Sequence, residues 1–184
     1  MADTTEQDVM AYDEAYYLDI AEKSAGTPTN ELMNVGFTSM EESTNPTEVS
    51  VQYIGDKSKT NKVTGYDNQF AFETNLIKNN KVVEYINNIF EKRLTGTDAE
   101  QNLTIVKLWK PIEEGSGTKY EARQIKTSTV IETKSVTPGE NINLSGSFKG
   151  IGDFVYGKFD TKTKTFTADE ATMSLAQQTS LKSE

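Results

Sequence analysis

The chain has 184 residues, a hydrophobic content of 35% and a formal net charge of −9, and it contains neither cysteine nor histidine. These two absences exclude disulfide bridges and thiolate sites, and they remove the usual general base and the commonest metal ligand. A chain of this length most simply forms one domain. The low hydrophobic content predicts a modest core flanked by mobile segments.

Acidic side chains are concentrated at the front of the chain. Residues 1–50 carry eleven acidic residues and one lysine, a net charge of −10, whereas the other 134 residues carry a net charge of +1. Such asymmetry is typical of an arm that docks on a basic surface, and also of a solvating leader. The acidic balance argues against tight binding of nucleic acid, which needs clustered lysine and arginine.

Residues 1–14 predict a flexible acidic segment. They lack the basic stretch and following apolar stretch of a secretion signal. No apolar run in the chain approaches the ~20 residues that a membrane-spanning helix needs. We therefore expect a protein that is made in the cytoplasm and does not contact a membrane.

The first half of the chain predicts strands. Residues 15–20 read as a short strand, although Tyr12, Tyr16 and Ile20 would also fit one face of a helix. Alternation of apolar and polar residues predicts three further strands. These are residues 32–40, 48–54 and 68–77. A long polar loop at 55–67 would join the last two strands into an extended hairpin.

Residues 80–94 predict the one helix. Apolar residues recur there at steps of three and four, which is the spacing of one helical face. They are Val82 or Val83, Ile86, Ile89, Phe90 and Leu94. Asn79 or Asn80 can cap the start, and Gly96 suits the left-handed position after the end. We expect the apolar face of this helix to cover a sheet.

The second half predicts more antiparallel strands. Residues 103–109 and 120–133 read as strands, and residues 141–167 read as a meander that reverses at Gly150 and Gly152. Residues 168–184 are polar and predict a disordered tail. The whole order predicts a mainly β protein, with a single domain at 15–167 and one flanking α-helix.

Catalytic and metal-binding motifs are absent from the sequence. Residues 56–67 have the length of a calcium loop, but they lack its glycine at the sixth position. Three lysines in the loop, Lys57, Lys59 and Lys62, would also repel a cation. We therefore predict no catalytic residue, no metal and no cofactor, and a protein that is not an enzyme.

Four stretches together carry a resemblance to a known family. They are residues 15–20, 49–73, 82–100 and 146–167. Their most distinctive pieces are the Val-Thr-Gly-Tyr step at 63–66 before a Phe-rich strand and the closing pattern from Gly157 to Thr167. In this order the stretches resemble the major tail tube proteins of long, non-contractile-tailed bacteriophages and prophages of Gram-positive bacteria.

That resemblance implies a fold and a function. The fold would be two antiparallel sheets packed as a sandwich or small barrel, with one flanking helix. The subunits would self-assemble into hexameric rings that stack into a tube within the virion, and the tube would be a conduit for DNA ejection. The implied partners are other copies of the chain and the tape-measure, tail terminator and distal tail or baseplate proteins. DNA would pass without specific binding.

One face of the hairpin is predicted to line the lumen of the tube. Val49, Val51, Tyr53, Phe70 and Phe72 would pack on the core, and the opposite face would line the channel. The lumen-facing candidates are Glu48, Ser50, Gln52, Gln69 and Glu73. A polar, mildly acidic wall repels phosphate and lets DNA slide. An ordinary solvent-exposed face is the alternative interpretation.

The loop at 55–67 predicts a contact between rings. A structureless loop of ~12 residues is unusual in a compact domain and is often functional. Lys57, Lys59 and Lys62 would meet acidic surface on the next ring. A floppy hairpin tip is an equally good interpretation of the same residues.

Other functions stay open at this point. The inner tube of a contractile tail or of a phage-like bacteriocin would use the same fold. A β-sandwich adhesion or carbohydrate-binding module is a further alternative, and it would present an aromatic platform. Trp109 is the only tryptophan, and its place on an apolar strand favours a role in the core.

Overall fold

The computed structural model describes residues 6–21, 26–112 and 117–169. The chain forms two compact units. The first unit draws its described residues from Met1–Val35, Gln101–Lys126 and Gly152–Glu184, and the second from Gly36–Glu100 and Thr127–Ile151. The predicted flexible residues 1–5 and the predicted disordered tail from residue 170 lie outside the described residues.

Strands make up most of the described residues. The strands are β1 (Glu14–Asp19), β2 (Asn30–Leu32), β3 (Phe37–Ser43), β4 (Pro46–Val51), β5 (Thr60–Tyr66), β6 (Gln69–Asn75), β7 (Glu100–Pro111), β8 (Lys119–Ser135), β9 (Asn143–Asp160) and β10 (Thr165–Ala168). Helix α1 (Lys81–Lys92) lies between β6 and β7 in the chain, and short 3-10 helices occur at Ala11–Asp13 and Gly96–Ala99.

The strands form two sheets. One has eight strands in the order β2-β1-β7-β8-β9-β6-β3, with β10 also paired to β9, and the other consists of β4 and β5. The pairs β1–β2, β1–β7, β3–β6, β4–β5, β6–β9 and β9–β10 are antiparallel. β8 and β9 each continue from one unit into the other. The predicted mainly β fold with one flanking helix is confirmed.

The core of the first unit is built by four strands. Its cluster contains Ala15, Tyr17, Val106, Ala122 and Phe159. The rings of Tyr17 and Phe159 lie 4.4 Å apart between centroids, and burial raises the pKa of the Tyr17 phenol. Alternating burial along β1 brings Ala15 and Tyr17 to the core. The strand prediction for 15–20 is therefore confirmed, and the helical alternative is wrong.

The core of the second unit is aromatic. Phe70 of β6 lies directly opposite Phe148 of β9, and both are fully buried. Phe72 stacks on Phe148 with 4.6 Å between ring centroids. The prediction that Phe70 and Phe72 pack on the core is confirmed.

Helix α1 follows the sequence signals closely at its start and less closely at its end. The Asn80 side chain accepts hydrogen bonds from the backbone N–H groups of Val82 and Val83, which satisfies two otherwise unpaired donors. Its buried residues are Val82, Val83, Ile86 and Ile89. Gly96 is left-handed as predicted, with φ of 59°, but Arg93, with φ of 53°, is the left-handed residue that ends the helix, so the helix ends earlier than predicted.

The predicted reversal at Gly150 and Gly152 is wrong. β9 runs through both glycines as one strand of 18 residues. Gly152 does adopt a positive φ of 78°, but it lies where β9 changes partners. β6 pairs with β9 as far as Lys149, and β10 pairs with it from Gly157. The glycine therefore provides a local irregularity within a strand rather than a turn.

The single strand predicted at 32–40 is two strands. β2 ends at Leu32 and β3 begins at Phe37. Gly36 between them has a φ of 98°, which breaks the extended conformation and which glycine adopts without steric cost. The two strands then occupy opposite ends of the eight-stranded sheet.

Trp109 does not pack in the core as predicted. It lies near the end of β7, and 43% of its surface is exposed. The Lys110 ammonium lies 4.8 Å from its ring centroid, an arrangement of cation and ring that is favourable at exposed sites.

A substitution at the contact between β8 and β9 tests the packing of the second unit. A Cβ atom at Gly146 would collide with the Val130 carbonyl oxygen and lie 2.9 Å from the Ile131 Cα. Because both are backbone atoms, Gly146→Ala should lower the free energy of unfolding by about 1–3 kcal/mol, as overpacking does. Urea denaturation measures the loss. Gly65→Ala is the control, since nothing lies within 4 Å of its added Cβ, and an equal loss in both variants would contradict the packing described.

Candidate assembly surfaces

The β4–β5 hairpin differs from the one predicted. We expected residues 48–54 to pair with residues 68–77, whereas β4 pairs with β5, which lies inside the predicted loop. β6 instead pairs with β3 and β9. The reason is the Thr60–Tyr66 segment, whose alternating residues form a strand of their own and shorten the loop to 52–59.

The base of this hairpin is held by hydrogen bonds. The Asp67 N–H donates to the Thr44 carbonyl at 2.9 Å, and the Asn45 side-chain amide donates to the Asp67 carbonyl at 3.1 Å. Asn45 has a positive φ of 37°, which interrupts the strand between β3 and β4. The β3–β6 ladder and the β4–β5 ladder are therefore successive parts of one ribbon, and these hydrogen bonds bridge them.

Every residue of β4 is exposed. We predicted that Val49, Val51 and Tyr53 would pack on the core, and this is wrong: their exposed fractions are 46%, 38% and 72%. Directly paired residues of an antiparallel ladder share a face. Val49 and Val51 thus lie on one face with Lys62 and Thr60, and Val63 lies on the other with Glu48.

The hairpin tip, residues 52–59, is a tight turn. The Asp56 carboxylate accepts a hydrogen bond from the Tyr53 N–H at 3.1 Å, and the Asp56 N–H donates to the Tyr53 carbonyl at 3.0 Å. Gln52 donates from its side-chain amide to the Asp56 carbonyl at 3.0 Å. This holds Tyr53 and Ile54 at the tip with their side chains exposed.

The three predicted contact lysines divide between loop and strand. Lys57 and Lys59 lie in the tip, and Lys62 lies in β5 directly opposite Val49. All three are exposed.

The five predicted lumen residues divide between two places. Glu48 and Ser50 share one face of β4, where the Ser50 hydroxyl and the Asn61 amide oxygen lie 2.6 Å apart, and Gln52 lies in the tip. Gln69 and Glu73 lie on β6, on the face opposite Phe70 and Phe72. The directly paired neighbours on that face are Ser39, Glu41 and Ser43 of β3 and Ser145, Ser147 and Lys149 of β9.

The eight-stranded sheet has three edge strands. Among the described residues, β2 pairs only with β1, β3 pairs only with β6, and β10 pairs only with β9. Unpaired backbone groups along an edge strand are a template for another chain. β2 belongs to the first unit and β3 to the second.

A cleft lies at the end of α1 in the second unit. Its walls include Ile89, Phe90 and Leu94 on one side and residues 128–131 of β8 on the other. The Arg93 guanidinium lies over the Phe90 ring, 4.4 Å from the centroid, and the Lys134 ammonium lies 5.8 Å from the same centroid. The cleft is therefore lined by both apolar and polar side chains, and it is cationic near the end of the helix.

A polar triangle flanks this cleft. The Asn87 side-chain amide donates to the Glu91 carboxylate at 2.9 Å, and the Lys134 ammonium donates to both Glu91 and Asn87 at 3.4 and 3.2 Å. The hydrogen bond from Asn87, and then that from Lys134, holds the pKa of Glu91 below its ordinary value. The triangle joins α1 to β8.

None of the helices among the described residues has the length and apolar character needed to cross a bilayer. Nor do these residues contain a group of three or more acidic side chains that could hold a metal ion.

No protein-family model matches the chain, and no curated protein does. Solved structures of tail proteins do match it. A chain from the tail of an empty GTA particle, refined with C6 symmetry, has a TM-score of 0.53 at 13% identity, with 88% of this chain and 100% of that chain covered. A chain from the virion of a native gene transfer agent particle has a TM-score of 0.55 at 12% identity, with the same coverage.

A chain of the SPP1 tail tube has a TM-score of 0.63 at 12% identity, with 93% of this chain and 92% of that chain covered. This chain has the fold of a tail tube protein. At such low identity the likeness concerns the fold alone, and it extends over almost the whole length of both chains.

Two parts of these surfaces were missed by reasoning from sequence. The strand β5 was placed in a loop, although Val63 between Lys62 and Thr64 gives the start of a period-two pattern. The cleft was also missed. It joins residues near 90 to residues near 130, and no local pattern indicates such a contact.

Substitutions in the polar triangle test its hydrogen bonds beside the cleft. Asn87→Ala and Lys134→Ala should each raise the pKa of Glu91 toward its ordinary value, because each removes a hydrogen bond to the carboxylate and the second also removes a positive charge. NMR titration of the Glu91 side-chain carboxyl carbon measures both shifts. Lys92→Met is the control, and a Glu91 pKa that is equal in all four proteins would contradict the geometry.

The same depressed pKa has a consequence for stability. A carboxyl group whose pKa is lower in the folded state stabilises the fold above its unfolded pKa, and the contribution disappears as the pH falls through the folded value. The triangle should therefore add to the stability of the contact between α1 and β8 at neutral pH, and this contribution should be lost in acid while the buried apolar face of α1 stays in place.

Proposed function

We propose that this chain is a structural virion protein whose copies form the wall of a tail tube. The observation that carries the proposal is the fold, which matches the SPP1 tail tube over 92% of that chain. Two features of the subunit support it. The β4–β5 hairpin exposes valines on both faces, and the eight-stranded sheet ends in edge strands that can accept a neighbour.

In this proposal, copies meet side by side in hexameric rings and the rings stack. A solved relative in fold comes from a tail refined with C6 symmetry. Contacts around a ring are heterologous and must close, whereas contacts between rings do not close and extend the tube. A heterologous contact needs two different surfaces, and the edge strands β2 of the first unit and β3 of the second are two such surfaces.

The hairpin contacts another copy in this proposal. Val49 and Val51, on the face opposite Glu48, retain 46% and 38% of their surface exposed in the subunit. Covering what remains of each would stabilise an assembled copy by roughly 1 kcal/mol, since full burial of a valine contributes about 1.5–3 kcal/mol. Lys57, Lys59 and Lys62 would meet acidic surface on the next ring, and Lys62 shares its face with Val49.

The tube would serve as a conduit for DNA ejection. Its further partners would be the tape-measure, tail terminator and distal tail or baseplate proteins. Such a protein would be made in the host cytoplasm and would act in the virion without a cofactor.

Assembly of the purified protein tests this function. Negative-stain electron microscopy of the concentrated wild-type protein should show stacked rings or hollow tubes. Val49→Glu with Val51→Glu should abolish them, because the charges prevent burial of that hairpin face while Lys62 opposite position 49 keeps the ladder favourable. The circular dichroism spectrum should not change.

The control carries the same change elsewhere. Val35 and Val136 are exposed valines outside the hairpin, and Val35→Glu with Val136→Glu should leave the tubes intact. A wild-type protein that stays monomeric at every concentration would sink the proposed function. Tubes formed equally well by both double variants would refute the role of the hairpin.

We also propose that the polar residues Glu48, Ser50, Gln52, Gln69 and Glu73 face the lumen. Glu73 is exposed on a face where serine residues lie directly opposite it on both neighbouring strands. Small polar side chains with a few carboxylates offer phosphate no cationic partner, so DNA would pass without being held.

A charge reversal tests the lumen assignment. Tubes of Glu48→Lys with Glu73→Lys should co-sediment with short linear duplex DNA at low salt, and added salt should reverse the binding. Covalently closed circular DNA cannot enter a tube end and should stay in the supernatant. The matched Glu→Gln tubes should bind neither form. Equal binding of circular and linear DNA would place the two residues on the outer wall.

A further inference from the structure

An exposed acidic segment precedes β1. Residues 6–12, here called the arm, belong to no strand, and every one of them is exposed. Val9, Met10 and Tyr12 have exposed fractions of 56%, 49% and 75%. Outside the β4–β5 hairpin, no other four-residue stretch of the described chain exposes three large hydrophobic side chains. Since residues 1–22 contain no lysine or arginine, the arm combines exposed apolar surface with negative charge alone.

The two faces of the β4–β5 hairpin differ in charge. One face, here called the cationic face, carries Val49 and Val51 beside Lys62, whereas the other carries Val63 beside Glu48. No salt bridge among the described residues involves Lys62. A partner that is both apolar and acidic would therefore be attracted to the cationic face and repelled by Glu48 on the other.

The arm matches the cationic face in spacing as well as in charge. Side chains two positions apart in an extended segment point the same way and lie about 7 Å apart. Met10 has extended backbone angles, with φ of −94° and ψ of 159°, and Asp8 precedes it by two positions. Val49 and Lys62 are directly paired, which places their Cβ atoms about 5 Å apart. Met10 can thus cover Val49 while Asp8 reaches Lys62.

We propose that the arm of one copy lies across the cationic face of the β4–β5 hairpin of a second copy. The Met10 side chain packs on Val49 and Val51, and the Asp8 carboxylate pairs with the Lys62 ammonium. Both surfaces are exposed in the described subunit, so each is available to a second copy. The inference rests on the proposed function and deepens it, because it names the segment that covers the hairpin.

The two surfaces also determine how the contact repeats. Every copy carries one arm and one cationic face, and these are different surfaces. The contact between copies is therefore heterologous, and where the rotation does not close it continues from copy to copy. A contact of this kind extends a stack of rings.

Disulfide trapping tests the docking. The chain has no cysteine, so two introduced thiols report on a single contact. Tagged Met10→Cys protein is mixed with untagged Val49→Cys protein and oxidised, and the tag separates heterodimers from homodimers. In the control mixture Val63→Cys replaces Val49→Cys, since Val63 lies on the other face of the same hairpin with a similar exposed fraction, 51% against 46%. Heterodimers should form at least about tenfold faster in the first mixture, because docking raises the local thiol concentration.

A charge-swap cycle tests the ion pair itself, with each change placed in the cysteine pair 10–49. Asp8→Lys in the first chain and Lys62→Asp in the second should each slow heterodimer formation by about two- to tenfold. The two changes together should restore the original rate, because they rebuild the pair with its charges exchanged. Lys162→Asp is the control. It makes the same change of charge at an exposed lysine outside the hairpin, and it should not rescue Asp8→Lys.

The outcomes separate this inference from the proposed function. Tubes that form while the 10–49 pair cross-links no faster than the 10–63 pair overturn the docking and leave the tube function standing. A charge-swapped pair that stays slow, or equal rescue by Lys162→Asp, overturns the ion pair. Rapid 10–49 heterodimers from a protein that never forms tubes support the docking and count against the tube. A protein that gives neither tubes nor rapid heterodimers contradicts both proposals.

Discussion

The subunit depends on a two-stranded ribbon that cannot bury its own side chains. A hairpin of two strands is marginally stable in water because neither face is covered. β4 and β5 have this problem, since Val49 and Val51 lie on one face and Val63 on the other. What holds the ribbon is its continuation into β3 and β6, through the hydrogen bonds between Asn45 and Asp67. One ribbon is thus both a core element and a projection.

The ribbon has a buried half, β3 with β6, and an exposed half, β4 with β5, and this division explains the packing of the second unit. Below the interruption, Phe70 and Phe72 face Phe148 and α1 adds its own buried face. Above it, the same alternation continues without a layer to pack on. Covering that half requires another molecule.

Local patterns in the sequence predicted the positions of the helix and strands better than they predicted which strands pair. Period-two alternation predicted β1 and β6, and three- and four-residue spacing together with Asn80 predicted α1. These predictions succeed because such patterns involve only residues close in the chain. Pairing depends on distant residues. Residues 48–51 pair with β5, which is nearer in the chain than β6, and β9 continues through Gly152 because β6 pairs with it before that glycine and β10 pairs with it after. The cleft needs β8 against α1, which no local pattern records.

Charge explains how exposed valines can serve one contact without general aggregation. Val49 lies directly opposite Lys62, and Val63 lies directly opposite Glu48. A surface that covers either valine must therefore also accept the neighbouring charge, and a purely apolar patch would leave that charge desolvated. The net charge of −9 adds repulsion between copies, and salt at physiological strength screens this repulsion beyond ~8 Å. Contact is then restricted to surfaces that match the ribbon in both apolar area and charge.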